Sequence, residues 1–257
     1  MLQHLHSFKI KKTFKGGFSM NKTIHGHSNQ QKSALIGGIA LVTMALAAFF
    51  SYGFVHESLV LYEDASTTFT NLQSSNMLFK AEILGWTIIL ITDIIVAWAF
   101  YIFLEPINRS LALLAAWFRL IYTAILGMAI LNLIFASLLS NGTIYTEQLP
   151  AHVMLFLEAF ESIWAIGLIV FGLHLLMIGY MAVKASCIPK VISILLLLGA
   201  IGYISINLLI TVFSQENAVI SVLKLIFNIP MILGELGFGI WLLIRGGKVS
   251  NTAITFS

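Results

Sequence analysis

Six long apolar runs dominate this sequence and restrict what it can fold into. They lie at residues 34–55, 79–104, 110–139, 153–182, 190–213 and 219–244. A helix needs about 20 apolar residues to cross roughly 30 Å of hydrocarbon, and each run reaches that length. Because backbone polar groups in lipid must be satisfied within the spanning segment, each run is predicted to be helical. We therefore expect an all-α polytopic membrane protein with six transmembrane helices in one bundle.

The composition supports the same class of protein. Charged residues make up 10% of the 257 residues and hydrophobic residues 59%, whereas soluble domains carry roughly 25% charged residues. The mean hydropathy of +0.95 excludes most soluble enzyme classes. The net charge of +3 does not indicate a nucleic-acid partner, because the basic residues flank the apolar runs. The single cysteine, Cys187, excludes an intramolecular disulfide.

The basic residues occupy one set of connections and the acidic residues the other. Six lysines precede the first run, and later basic residues follow at Arg109, Lys184, Lys190, Arg245 and Lys248. The alternate connections carry Glu57, Glu63, Asp64, Glu147 and Glu216. Because cytoplasmic loops are enriched in Lys and Arg, both termini are predicted to be cytoplasmic.

The sequence divides into a lysine-rich tail, predicted to be flexible (1–32), the six-span bundle (33–247) and a short cytoplasmic tail (248–257). The N-terminal lysines either adhere to anionic lipid or mainly set topology, and the second interpretation is favoured. Met20 is an alternative start. The histidine pairs in this tail are interpreted as solvated rather than metal-binding.

Four ionisable residues from four different spans are predicted to meet near the bilayer midplane. At about 1.5 Å per residue, Asp93 lies about 19 Å along its helix from the cytoplasmic marker Pro106. The other three, Arg119, His174 and Glu235, each lie about 15 Å from such a marker. Charged groups in hydrocarbon require a partner or a water-filled site, so this quartet is the principal candidate site.

Two interpretations of the quartet remain open at this point. In the first, Arg119 holds an anionic group while Asp93, His174 or Glu235 exchange protons. In the second, Asp93 pairs with Arg119, and His174 hydrogen-bonds Glu235, only to fix the helix register.

A secondary polar stripe consists of Glu82, which shares a helix face with Asp93, and of Lys224 and Asn228, which share a face with Glu235. Pro230 on the last span removes a backbone donor beside this stripe. The stripe is a candidate lining for a path from the outer surface to the midplane.

Other polar and aromatic residues are assigned to the ends of the spans. Glu158, Glu161, His56, Glu57 and His152 are interpreted as solvated rather than as a metal site, because no dense ligand motif is present. Trp86 and Trp164 are assigned to the outer aromatic belt, Trp98 and Trp241 to the inner belt and Trp117 to packing. There is no nucleophile, phosphate-loop or metal motif, so we expect no catalytic residue, no metal and no cofactor.

Three segments carry a family resemblance: 106–119 (PINRSLALLAAWFR), 167–180 (GLIVFGLHLLMIGY) with 188–190 (IPK), and 234–235 (GE) leading to 241–246 (WLLIRG). Together they resemble the bacterial membrane-protein family known only as domain of unknown function 4386, over roughly residues 33 to 247. The resemblance implies a six-span bacterial inner-membrane protein, but no established activity. Asn108, Arg119, His174 and Glu235 lie inside these segments, whereas residues 1–19 lie outside the match.

The sequence thus favours a small-solute or proton-linked transporter, or a ligand-binding membrane protein, with a polar midplane site. One alternative is a structural or partner-binding subunit with a dry ion network. Another is an intramembrane enzyme acting on a lipid-like substrate. Membrane lipids and a small-molecule ligand are the expected partners, and the sequence names neither a protein partner nor an oligomeric state.

Overall fold

The computed structural model describes residues 16–142, 146–213 and 218–248, and only the backbone of residues 16–28 and 247. Within these ranges the chain is helical and contains no strand. The helices are α1 (Gly16–Ala48), a π-helical segment (Phe49–His56), α2 (Glu57–Leu59), α3 (Ala65–Ser74), α4 (Asn76–Leu104), α5 (Arg109–Ser140), α6 (Leu149–Lys184), α7 (Lys190–Val212), α8 (Ala218–Ile244) and a 3₁₀ turn (Gly246–Lys248).

Six helical stretches are long and apolar enough to span a membrane, in agreement with the sequence prediction. The first runs from Asn29 to Leu59, through α1, the π segment and α2. The other five coincide with α4, α5, α6, α7 and α8. The α5 helix begins after Asn108, whose side-chain oxygen accepts a hydrogen bond from the Leu111 N–H at 3.0 Å. Such a cap satisfies one of the free donors at the helix start.

The spans form a closed ring in chain order. Each of α4, α5, α6 and α7 packs against the spans before and after it, and α8 returns to pack against α1. This arrangement follows from short connections, which place consecutive antiparallel helices side by side. The amphipathic helix α3 lies across one end of the ring and contacts α4, α5 and α6.

Glycines set the closest helix contacts. A Cβ on Gly234 of α8 would lie 2.9 Å from the Leu195 carbonyl oxygen of α7, and one on Gly38 of α1 would lie 2.9 Å from the Gly239 carbonyl oxygen of α8. On α4, a Cβ at Gly85 would collide with Ser51 of the π segment. Small residues allow backbones to approach in this way, which compensates for the absence of a hydrophobic driving force in lipid.

The structure corrects part of the tryptophan assignment. Trp86 is buried inside the ring, and Trp117 is 58% exposed on the outer surface rather than packed. Trp86 and Trp164 contact each other with ring centroids 4.9 Å apart. Sequence position alone placed them near a membrane boundary, but their helix faces direct them inward.

The tails and the membrane orientation stay predictions. Helix α1 begins at Gly16, within the segment 1–32 that the sequence assigns to the tail. Residues 1–15 and 249–257 lie outside the described residues, as do the side chains of 16–28, including His25 and His27. The cytoplasmic placement of both termini remains an inference from the charge pattern.

Candidate functional site

The structure brings all four residues of the predicted quartet together around Arg119. The Arg119 guanidinium donates to Asp93 Oδ1, with Nε at 2.9 Å and Nη2 at 2.7 Å. Its Nη1 donates to Glu235 Oε1 at 2.9 Å and lies 3.0 Å from His174 Nε2. Arg119, Asp93 and His174 are fully buried. Four spans, α4, α5, α6 and α8, therefore converge on one guanidinium.

The contacts of His174 define its tautomer. Its Nδ1 lies 2.8 Å from the Ala115 carbonyl oxygen, which can only accept, so Nδ1 carries a proton. Its Nε2 faces the Arg119 Nη1 donor and therefore accepts. This pattern is that of a neutral imidazole with both nitrogens engaged. His174 and Glu235 thus meet through Arg119, rather than through the direct hydrogen bond considered from the sequence.

The guanidinium of Arg119 has little capacity left for a ligand. Its donors point to Asp93, Glu235 and His174, and Nη2 also approaches the Met44 sulfur at 3.5 Å. Its carbon lies 5.3 Å from the ring centre of Phe171 and 5.9 Å from that of Phe100, so aromatic faces cover it. The geometry therefore favours Arg119 as the organiser of the carboxylates rather than as an anion-binding group.

The carboxylates keep unshared oxygens. Glu235 uses Oε1 for Arg119, and its side chain is 13% exposed. Asp93 uses Oδ1, and its buried Oδ2 has no hydrogen-bond partner among the described residues. A buried carboxylate oxygen without a donor is costly, so this enclosed atom marks a place where a proton would be stabilised.

A cavity of about 560 Å³ lies against these two carboxylates. All six spans line it, and the lining includes Asp93, Phe171 and Glu235. It extends along the ring interior to Tyr52, Glu161 and Lys224 at the end that the charge pattern predicts to be external. Ligand pockets commonly measure roughly 300–1,000 Å³, so its size suits a small organic molecule.

Beyond the quartet, the ring interior is filled by aromatic side chains. Phe100 stacks on His174 with centroids 6.2 Å apart and contacts Phe238 at 5.2 Å. Phe103 and Phe238 both contact Trp241, at 6.1 Å and 5.9 Å. This aromatic layer closes the ring on the side opposite the cavity.

The cavity also reaches the outer surface of the ring between α1 and α8. The close contacts between these helices, at Gly38 and Gly239, lie in the half of the ring that the aromatic layer fills. In the other half, Phe49 of the π segment and Ile232 of α8 line the cavity while being 74% and 62% exposed. The two helices thus leave a side opening towards the lipid phase.

The predicted polar stripe divides into two parts. Lys224 and Asn228 line the cavity together with Glu235, as their shared helix face predicts. Glu82 is fully buried and belongs to a separate cluster, because its Oε1 accepts from His56 Nδ1 at 2.7 Å and from Trp86 Nε1 at 3.3 Å. Glu82 and Asp93 therefore share a face of α4 but belong to two different environments.

This separate cluster was missed by sequence reasoning, which treated His56 and Glu161 as solvated. His56 Nε2 lies 2.9 Å from the Tyr62 hydroxyl and 3.6 Å from Glu161 Oε1. The π segment carries His56 into the ring, and π-helical turns often occur at functional sites. Glu158, Glu57 and His152 are exposed, as expected. Among the described residues, no three His, Cys, Asp or Glu side chains are grouped to hold a metal ion.

Among the described residues outside the spans, three groups have shifted pKa values. Desolvation and the neighbouring Glu161 carboxylate raise the pKa of Tyr62, so its hydroxyl stays protonated. Hydrogen bonds from the Thr67 hydroxyl and N–H lower the pKa of Asp64, which caps α3. Burial raises the pKa of the Cys187 thiol, in the connection between α6 and α7.

The fold and the site define a six-span membrane protein with an ion cluster at the base of an internal cavity. The chain belongs to the family described as a domain of unknown function (DUF4386), whose match covers residues 36–246. It is also similar to an uncharacterised protein of Archaeoglobus fulgidus, with 31% identity over 174 residues, covering 68% of this chain and 89% of the relative. No solved structure matches the chain.

Proposed function

We propose that this protein binds a small solute in its internal cavity and acts as a small-solute or proton-linked transporter. The observation that carries the proposal is the cavity itself, which is lined by all six spans and ends at Asp93 and Glu235. Ionisable residues at the midplane of membrane bundles commonly mark substrate or proton pathways. A multi-pass location in a bacterial cytoplasmic membrane, with both termini cytoplasmic, is part of this proposal.

The proton-exchanging group in this proposal is Glu235. It is the quartet member with a side chain open to the cavity and an oxygen not used by Arg119. His174 is less suited, because protonation of its Nε2 would replace an accepted hydrogen bond with repulsion from Arg119. Asp93 and Arg119 then form the fixed pair that holds Glu235 in place.

A transport cycle would require the aromatic layer to open on the opposite side. Helix α8 is suited to such a movement, since it is the least buried of the six spans and contains Pro230. Proline removes a backbone hydrogen bond and weakens the helix locally. The Pro230 carbonyl faces Gly199 of α7, where a Cβ would lie only 3.2 Å away.

The enzyme alternative has less support. The described residues that line the cavity include no Ser, Thr, Cys or His, so no Ser or Thr hydroxyl, thiol or imidazole faces the enclosed space. A purely structural role accounts for the saturated contacts of Arg119, but it does not explain why the bundle encloses a cavity. The two accounts differ in whether water enters the cavity.

Cysteine accessibility tests the proposal. In a Cys187→Ser background, Asn228→Cys places a thiol on the cavity lining, and Ile229→Cys places one on the neighbouring, lipid-facing surface. We expect a membrane-impermeant maleimide to label the Asn228→Cys variant in membranes from one side, but not the Ile229→Cys control. If both thiols react only after denaturation, the cavity is dry and the structural account replaces this proposal.

A further inference from the structure

The charges facing the cavity are predominantly negative. Among the described residues, its lining includes the carboxylates of Asp93, Glu161 and Glu235, and one cationic side chain, Lys224. The positive charge of Arg119 lies behind two of these carboxylates and is paired with both. A net negative, partly desolvated space selects against anions and stabilises a cation.

Aromatic side chains form part of the otherwise aliphatic wall of the cavity. Tyr52, Trp86 and Trp164 pack edge to face, with centroids 4.9 to 6.2 Å apart, and all three line the cavity. Deeper in the cavity, Tyr203 packs against Phe171 at 5.1 Å. Aromatic faces attract organic cations, and the position of Arg119 over Phe171 shows that this region already accommodates one such contact.

The base of the cavity presents the free oxygen of Glu235, with the enclosed carboxylate of Asp93 behind it. Asp93 is fully buried, and its Oδ2 has no partner among the described residues, although the residue lines the cavity. The second oxygen of Glu235 is not used by Arg119. An ammonium group placed beside the second oxygen of Glu235 would have negative charge on one side, to which the buried Asp93 carboxylate also contributes, and aromatic faces on the other.

We infer that the ligand is a monovalent organic cation, meaning an ammonium or similar onium centre that bears apolar substituents. This inference rests on the proposed function and specifies its substrate class. The cationic centre lies beside Glu235, with the Asp93 carboxylate behind it, and the apolar substituents lie against Tyr52, Trp86 and Trp164. A dehydrated metal ion does not match this lining, since it requires a dense set of oxygen ligands. The side opening between Phe49 and Ile232 gives an amphipathic cation a route from the lipid phase.

Two probes of the same shape and opposite charge test this inference. Tetraphenylphosphonium and tetraphenylborate are titrated separately into the purified full-length protein in a nonionic detergent, and the saturable component of binding is measured by calorimetry. We expect one saturable site for the phosphonium and none for the borate. Equal binding of the two ions, saturable binding of the borate alone, or saturable binding of neither would overturn the assignment.

Charge-neutralising variants localise the site. Glu235→Gln is expected to weaken phosphonium binding roughly tenfold or more, since a contact to a charged group is removed. Glu161→Gln is a second variant at the outer end of the cavity, with a smaller expected loss. Glu158→Gln, exposed on the same helix, is the matched control and leaves the affinity unchanged. Size-exclusion profiles establish that each variant is folded. Unchanged affinity in both folded cavity variants contradicts the inference.

Phosphonium binding and thiol labelling distinguish a wrong ligand class from a wrong proposed function. If the thiol of Asn228→Cys is labelled but the phosphonium does not bind, the water-filled cavity stands and the ligand class is wrong. If the thiol stays unreactive in the folded protein, the proposed function itself fails.

Discussion

Removal of the central cation is the most informative perturbation of the quartet. Arg119→Met keeps an unbranched side chain of similar length but leaves Asp93 and Glu235 without their shared partner. Asp93 is affected most, because it is fully buried and its Oδ2 already lacks a donor. The variant therefore retains an unpaired carboxylate inside the bundle.

The size of the effect follows from the burial of both partners. Breaking a buried ion pair by removing one member costs about 3–5 kcal/mol. At roughly 2–4 °C per kcal/mol for a chain of about this length, the unfolding midpoint should fall by roughly 6–20 °C. The matched control is Arg109→Met on the same helix, whose pair with Glu105 at 3.3 Å is largely exposed. Exposed pairs contribute about 0–1 kcal/mol, so the control should shift the midpoint by only a few degrees.

Tryptophan fluorescence during a thermal ramp of the detergent-solubilised protein measures these midpoints. Combining Arg119→Met with Asp93→Asn should recover part of the loss, because it removes the stranded charge. If the Arg119→Met and Arg109→Met variants have the same unfolding midpoint, Arg119 is not the organising group of the quartet.

Three further predictions concern other parts of the chain. Gly234→Ala should lower the unfolding midpoint, because its Cβ would lie 2.9 Å from the Leu195 carbonyl oxygen, whereas Gly237→Ala, with nothing within 4 Å, should be neutral or slightly stabilising; equal midpoints would contradict the packing of α7 on α8. Asp64→Ala should speed amide hydrogen exchange in the first turn of α3 at neutral pH. Because hydrogen bonds lower the pKa of Asp64, its capping contribution is present above the unfolded pKa and is lost as the pH falls through the folded pKa, so the difference between Asp64→Ala and the parent should vanish in acid. Cys187, whose pKa is raised by burial, should react slowly with maleimide at neutral pH and faster as the pH rises; in intact cells an impermeant reagent should not reach it, and fast labelling there would contradict the cytoplasmic placement of this connection.

The sequence predicted the features that depend on long apolar runs and on the position of ionisable residues along the spans. The six spans agree with the structure because length and hydropathy alone decide whether a helix can cross a bilayer. Four buried ionisable residues could be expected to meet, since each needs a partner in hydrocarbon. Arg119 is ten residues from Arg109, and Glu235 is ten residues from Arg245, so the sequence placed Arg119 and Glu235 at one depth. The structure joins these two side chains in an ion pair.

The sequence could not predict features that depend on helix rotation and packing. The inward direction of Trp86, and the pairing of Glu82 with His56 rather than with the quartet, follow from how α4 faces the π segment. The close contact between α4 and the π segment requires Gly85, because a Cβ at this position would collide with Ser51. The saturation of Arg119 is likewise a property of four helices at once, and no pattern within a single helix indicates it.

In the proposed function, water reaches the quartet through the cavity, and hydroxyl-radical footprinting of the unmodified protein measures this access. Radicals generated from water oxidise methionines that lie beside it. Met44 and Met231 line the cavity, whereas Met154 and Met181 are buried in the packed core. The account predicts rapid oxidation of Met44 and Met231 and protection of Met154 and Met181. If all four methionines are protected to the same extent in the folded protein, the interior is dry and the account is wrong.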